Sequence, residues 1–198
     1  MLVVFEGIDG SGKGMQVKLL LSYFKQHSIR YRLHKFPTKK AKDAFAHLEG
    51  KKEIAPLELA GIFADDILDE KEKMKRELSD GVAVVCDRYL HSTLAYQGAK
   101  GGYGAVKALV EKKGALVPDV VFLLDIEAAR AAERKYAQKK PDRFESDVLF
   151  LEKVRKNYVK MEHEHFLAYK YVVVDAEKKP EEVFTEIITN VEPMIGKK

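Results

Sequence analysis

The stretch "FEGIDGSGKGMQ" (5–16) spaces two glycines and a lysine as Gly-x-x-x-x-Gly-Lys, at Gly7, Gly12 and Lys13. Such a loop can turn successive backbone N–H groups inward around phosphate oxygens. The start of the following helix adds partial positive charge, and the lysine reaches the outer phosphates. The usual pattern closes with a hydroxyl that binds magnesium, but here Gly14 stands in that place, followed by Met15. A second group is Asp87-Arg88, directly after the apolar run "VAVVC". An acidic residue at a strand end can hold magnesium directly or through water, and an arginine offers a bidentate fork to a phosphate. The residues that follow, "STLAYQG" (92–98), supply hydroxyls, an aromatic ring and an amide, groups that can border a nucleobase. A third group is Arg130, Arg134 and Arg143 in "RAAERKYAQKKPDRFE" (130–145), a polar segment suited to a mobile lid. Arginines there could neutralise a phosphoryl group in flight while water is excluded.

These residues need a scaffold that brings them together. Five short apolar runs predict strands: 2–5, 31–36, 82–86, 120–124 and 171–174. The first, third, fourth and fifth are nearly continuous in aliphatic residues, as expected of parallel strands buried on both faces. Helical spacing fills 13–27, 57–78, 103–113, 127–137, 145–168 and 181–191. The alternation implies βαβ crossovers and a three-layer α/β sandwich. Ligands in such sheets bind beyond the carboxyl ends of the strands. The residues of interest are therefore Glu6 to Lys13, Pro37-Thr38, Asp87-Arg88, Asp125 and Asp175.

The chain has 198 residues, enough for a single domain, 1–198, with the lid around 130–145. A net charge of +4, dispersed along the chain, gives no footprint for nucleic acid or a membrane surface. No apolar run approaches the roughly 18 residues of a membrane span, and a cytoplasmic location is the expectation. The lone cysteine, Cys86, excludes an internal disulfide and lies in an apolar strand, which predicts a buried thiol. No Asn-Lys-x-Asp string is present, and no Asp-x-x-Gly switch lies outside the loop, which argues against a GTPase. In "MEHEHF" (161–166) two histidines two residues apart on a helix cannot chelate one metal.

Taken together, "FEGIDGSGKGMQ", "DRYLHSTLAYQGAK", "VPDVVFLLDI", "PDRFE" and "VVVDAEKKPEEVFTEI" resemble the thymidylate kinase family of P-loop nucleoside monophosphate kinases over nearly the whole chain. The resemblance implies the P-loop NTPase fold with a five-stranded parallel sheet, a homodimer, and phosphorylation of dTMP to dTDP by ATP with Mg2+. It assigns the ATP phosphates to Gly7, Ile8, Asp9, Gly10, Ser11, Gly12, Lys13 and Gly14, with Lys13 bridging to the transferred group. Asp9 matches the loop carboxylate near the acceptor phosphate, and Arg88 the arginine that grips it. Ser92, Tyr96 and Gln97 fall on the acceptor side, with Tyr96 and Gln97 beside the base. Residues 8–11 contain no arginine, which resembles members that place the catalytic arginine in the lid, here Arg134 and Arg143.

Three positions depart from the family pattern. Gly14 lacks the hydroxyl, leaving Asp87 to orient magnesium through water. Lys39 stands where many relatives have an arginine near the acceptor phosphate. In "LAGIFADDILDE" (59–70) the aromatic is Phe63 and the base-reading arginine is expected at Asp66, which cannot donate to the thymine 4-oxygen. The expectation is dTMP held through Gln97, with weaker discrimination among pyrimidines than an arginine gives. Two alternatives stay open on sequence alone: another pyrimidine monophosphate as acceptor, or a nucleotide-binding protein weakened by Gly14.

Overall fold

A computed structural model describes residues 1–136 and 148–196. Each of the five apolar runs forms a strand: β1 (Leu2–Glu6), β2 (Tyr31–Lys35), β3 (Ala83–Asp87), β4 (Val120–Asp125) and β5 (Tyr171–Asp175). All pair in parallel, in the order β2-β3-β1-β4-β5. The interior strands β1, β3 and β4 are buried almost throughout, as their unbroken apolar sequence requires. The fifth run departs from expectation. As an edge strand, β5 leaves Val173 45% exposed, so its aliphatic sequence is not buried on both faces.

The described residues contain nine helices, eight between strands and one after the last: α1 (Lys13–Gln26), α2 (Lys42–Leu48), α3 (Pro56–Asp69), α4 (Lys71–Ser79), α5 (Leu90–Gly101), α6 (Tyr103–Glu111), α7 (Ala128–Tyr136), α8 (Val148–His163) and α9 (Pro180–Val191). Proline at the first position starts both α3 and α9, where its missing N–H is no loss. The α1 helix packs on α9, β1 and β3, while α3, α6 and α8 each pack on α5. The sheet is therefore flanked by helices.

The single helix expected over 57–78 is two, divided at Glu70. Their apolar faces have different partners. The Leu59, Ala60, Ala64 and Ile67 stripe of α3 faces other helices, whereas α4 buries Met74 against β3, where its sulfur meets Cys86 Sγ at 4.0 Å. One straight helix could not serve both. Helix α5 was not legible as a helix because residues all around it are buried, including His91, Thr93 and Gln97. An amphipathic stripe is therefore missing. The short α2 was also unforeseen, and α8 begins and ends inside the expected 145–168.

Strand register sets the carboxyl ends level, with Lys35 and Phe5 both beside Asp87, and Asp125 beside Asp175. At the centre of this edge is Glu6, with none of its surface exposed. One carboxylate oxygen accepts the backbone N–H of Tyr89 (2.7 Å) and of Ser92 (3.2 Å). The other accepts the Ser92 hydroxyl (2.6 Å) and the Tyr158 hydroxyl (2.9 Å). Burial raises the Glu6 pKa, opposed by Arg88 and by these hydroxyl donors. The carboxylate thus joins β1 to the start of α5 and to α8.

Glu6→Ala leaves two buried N–H groups and two hydroxyls without their acceptor. We expect a loss of about 2–4 kcal/mol of stability, read from the urea midpoint. Tyr158→Phe, which removes one donor, should lose about 1 kcal/mol. An unshifted midpoint in Glu6→Ala would contradict the linking role.

Candidate active site

The phosphate loop runs from the end of β1 into α1. Gly7 and Gly10 take positive φ (139° and 88°), and a Cβ on either would meet backbone: Leu124 O at 2.5 Å or Ala131 O at 2.2 Å. Glycine is obligatory at both for steric reasons as well as backbone conformation. Gly12, with φ of 91°, sits at the helix start with open space around it.

Lys13 is buried and folded over the loop, donating to Gly7 O (2.7 Å), Ile8 O (2.9 Å) and Ser11 Oγ (3.4 Å). Burial, and then the like charge of Arg88, push its ammonium pKa down to about 7, against the pull of Asp9, Asp87 and Glu6. Arg88 begins the turn from β3 into α5 with a left-handed φ of 71°, a conformation unfavourable for a non-glycine residue and typical of functional turns. Its guanidinium bonds to Asp9 on one side and to Ser92 Oγ (2.8 Å) on the other, above the Tyr96 ring at 5.2 Å. The Tyr96 hydroxyl accepts the Asp9 backbone N–H at 3.1 Å. Ser92 in turn rests on Glu6, so the buried carboxylate reaches Arg88 through one hydroxyl.

Two cavities flank this cluster. The larger, about 770 Å³, is lined by loop residues 9–14, by Asp87, and by Arg134 and Lys178 on the far side. The smaller, about 260 Å³, is walled by aromatic and aliphatic side chains including Phe36, Leu48, Phe63, Tyr89 and Tyr96. Three residues line both: Asp9, Lys35 and Arg88. The cavities therefore meet at a charged seam. A phosphate-rich ligand suits the first, and a planar ring with one phosphate at the seam suits the second.

Of the loop residues assigned from sequence, Asp9, Gly10, Ser11, Gly12, Lys13 and Gly14 line the larger cavity. Gly7 and Ile8 instead present the carbonyls that hold Lys13. Ser92, Tyr96, Gln97 and Phe63 line the smaller cavity with Arg88. Arg134 reaches the larger cavity while donating to Ala176 O at 2.8 Å, and Arg143 lies outside the described residues. Asp87 lines the larger cavity and pairs with Lys35 at 3.3 Å. The other acidic strand ends are occupied structurally. Asp125 makes a bidentate pair with Arg155 (2.7 and 2.8 Å), and Asp175 accepts the Glu177 N–H.

Two of the residues expected on the acceptor side do not line the smaller cavity. Lys39 is exposed and lines a shallow surface hollow with Lys42 and Phe45, not the acceptor cavity. Asp66 is buried and turned to the loop after β2, accepting the Thr38 N–H (2.7 Å) and hydroxyl (2.5 Å). The residue of α3 that shares the cavity with Phe63 is Ile67, four positions on and on the same helix face. Lys35 was missed because the apolar run was extended to Phe36, which put the strand end one residue too late. The helical spacing from Phe63 was the available signal for Ile67.

The thymidylate kinase family model matches residues 5–187. A probable thymidylate kinase of Methanocaldococcus jannaschii is 38% identical, covering 95% of this chain and 94% of its own. One from Thermococcus kodakarensis is 34% identical with 99% of both chains covered. A thymidylate kinase of Chlorobium chlorochromatii is 32% identical, covering 97% of this chain and 94% of its own. With the glycine loop, the charged seam and the ring-sized cavity in one sheet-end site, this protein belongs to the thymidylate kinase family.

Proposed function

We propose that this protein transfers the γ-phosphoryl group of ATP to the phosphate of dTMP, giving ADP and dTDP, across the seam formed by Asp9, Lys35 and Arg88. The observation that carries this reading is that these three charged residues, alone among the lining side chains, belong to both cavities. A donor phosphate chain from one side and an acceptor phosphate from the other meet there, which is the proximity that phosphoryl transfer requires.

The donor phosphates bind the loop amides at the start of α1, and Lys13 exchanges its loop carbonyls for their outer oxygens. Arg88, held by Ser92 and Asp9, takes the acceptor phosphate and stabilises charge as the new bond forms. Arg134 lines the donor cavity, where its charge can stabilise a phosphoryl group in transfer, and residues 137–147 of the lid expected around 130–145 lie outside the described residues. Among the described residues no group of three or more His, Cys, Asp or Glu side chains could hold a metal by itself. Asp87, facing the donor cavity, fits a water-mediated contact to a magnesium ion held mainly by phosphates. Bound magnesium supplies neutralisation of the phosphate charge. A homodimer is what the family resemblance implies, and a cytoplasmic location is the expectation from the sequence; no helix among the described residues is long and apolar enough to cross a membrane.

Three measurements test this reading. Arg88→Ala should lower kcat/KM for dTMP by about 100- to 1,000-fold. The Kd for ATP should change far less; the reverse pattern would place Arg88 on the donor side. Because the Lys13 ammonium in the free protein titrates near 7, its charge is present below that pH and lost above it. The kcat/KM for ATP should therefore fall as pH rises through about 7, and a rise there would contradict the assignment. A Cβ at Gly14 meets nothing within 4 Å, so Gly14→Ser fits. It should lower the magnesium concentration needed for half-maximal rate and leave KM for dTMP unchanged. A wild type inactive until given the serine would favour a pure binding role.

A further inference from the structure

The acceptor cavity is charged at one end only. Its charged side chains, Asp9, Lys35 and Arg88, are the three that it shares with the donor cavity, so they belong to the phosphate end. The remaining wall, where a base must lie, carries no charge among the described residues. Ile67 occupies the helical position that points into the cavity beside Phe63, and it is apolar. The nearby Asp66 is committed to Thr38 through both carboxylate oxygens and reads nothing in the cavity.

The polar groups of that wall differ in freedom. The Tyr89 hydroxyl donates to Leu116 O, Tyr96 accepts from the Asp9 N–H, and Ser92 is held between Glu6 and Arg88. Gln97 and Thr93 are each 4% exposed, and neither side chain makes a hydrogen bond among the described residues. The Thr93 hydroxyl can donate or accept, so it favours neither a 4-oxygen nor a 4-amino group, and the Gln97 amide is equally uncommitted. Nothing there fixes which end of the amide is oxygen and which is nitrogen. In one orientation it accepts from a pyrimidine N3–H and donates to a 4-oxygen. Rotated by half a turn, it donates to an unprotonated N3 and accepts from a 4-amino group. A cation at this wall, being a donor only, would break that symmetry in favour of the 4-oxygen.

We propose that this site selects the 5-methyl group of its acceptor by shape and leaves the 4-substituent unread, so that 5-methyl-dCMP is a substrate alongside dTMP. This rests on the reading above that the smaller cavity takes a pyrimidine monophosphate. The step is the same for both. An oxygen of the acceptor phosphate bonds to the γ-phosphorus of ATP as the bond from that phosphorus to the β,γ-bridging oxygen breaks, and ADP leaves with that electron pair. No proton needs to move when the acceptor phosphate is a dianion. Selection of the methyl comes from the apolar wall of Phe36, Leu48, Phe63 and Ile67. One buried methyl is worth roughly 10- to 200-fold in kcat/KM.

The test is kcat/KM for dTMP, 5-methyl-dCMP, dUMP and dCMP with the full-length enzyme, ATP and magnesium, read as ADP release. The expected result is 5-methyl-dCMP within about tenfold of dTMP, with each unmethylated nucleotide at least roughly tenfold below its methylated partner. A 5-methyl-dCMP rate more than about 1,000-fold below dTMP, the scale of a fixed polar reader, would overturn the inference while leaving the dTMP reading intact. Equal rates for dUMP and dTMP would overturn the selection of the methyl. No turnover of any of the four, dTMP included, would overturn both. Ile67→Arg gives a second check on the ratio: a donor-only side chain should reduce 5-methyl-dCMP relative to dTMP. A ratio unchanged in a folded Ile67→Arg enzyme would contradict the argument, and the wild-type comparison decides the matter if that variant does not fold.

Discussion

A carboxylate with no exposed surface, at the end of the central strand, organises this site. Glu6 accepts four hydrogen bonds, two from the backbone that opens α5 and two from the hydroxyls of Ser92 and Tyr158. Desolvating such a group is unfavourable unless each oxygen is satisfied, so its partners are held in place as strictly as it is. The consequence reaches function in one step. Ser92 presents its oxygen to Arg88, and Arg88 bridges to Asp9 on the phosphate loop. Glu6 thereby sets the distance between the loop that ends β1 and the arginine that ends β3, though it lines neither cavity.

The second feature is the pairing of the cations at the seam and beside it. Lys13 is held by loop carbonyls, Arg88 by Asp9 and Ser92, and Lys35 by Asp87. Phosphate oxygens compete for these cations with partners that already stabilise them, which keeps like charges close without unfolding the sheet end. The depressed pKa of Lys13 shows that this balance is only partial, since burial and Arg88 outweigh three carboxylates. Arg88 carries a further constraint in its left-handed backbone, which lets β3 enter α5 within two residues, Arg88 and Tyr89.

Much of this was legible in the sequence. The strands could be read because interior parallel strands are apolar on both faces, and β1, β3 and β4 obey that rule. The loop and Asp87-Arg88 were legible because the sheet rule directs attention to strand ends. Elsewhere the local signal was misleading. Helix α5 carries buried polar residues that serve the site, which erased its amphipathic stripe. Lys35 was hidden by an apolar run read one residue too long, and β5 by an aliphatic sequence that does not distinguish an edge from an interior strand. Asp66 and Ile67 are neighbours on α3, and only their tertiary surroundings, Thr38 for one and the cavity for the other, decide which faces the ligand.

The central claim is that two ligands meet at one charged seam and that a phosphoryl group passes directly between them. The most direct measurement is the stoichiometry of products at saturating ATP and magnesium, with ADP and dTDP quantified in the same reaction. The account predicts one dTDP for each ADP, and no ADP without an acceptor. ADP released at the same rate in the absence of dTMP, with no dTDP formed, would contradict it.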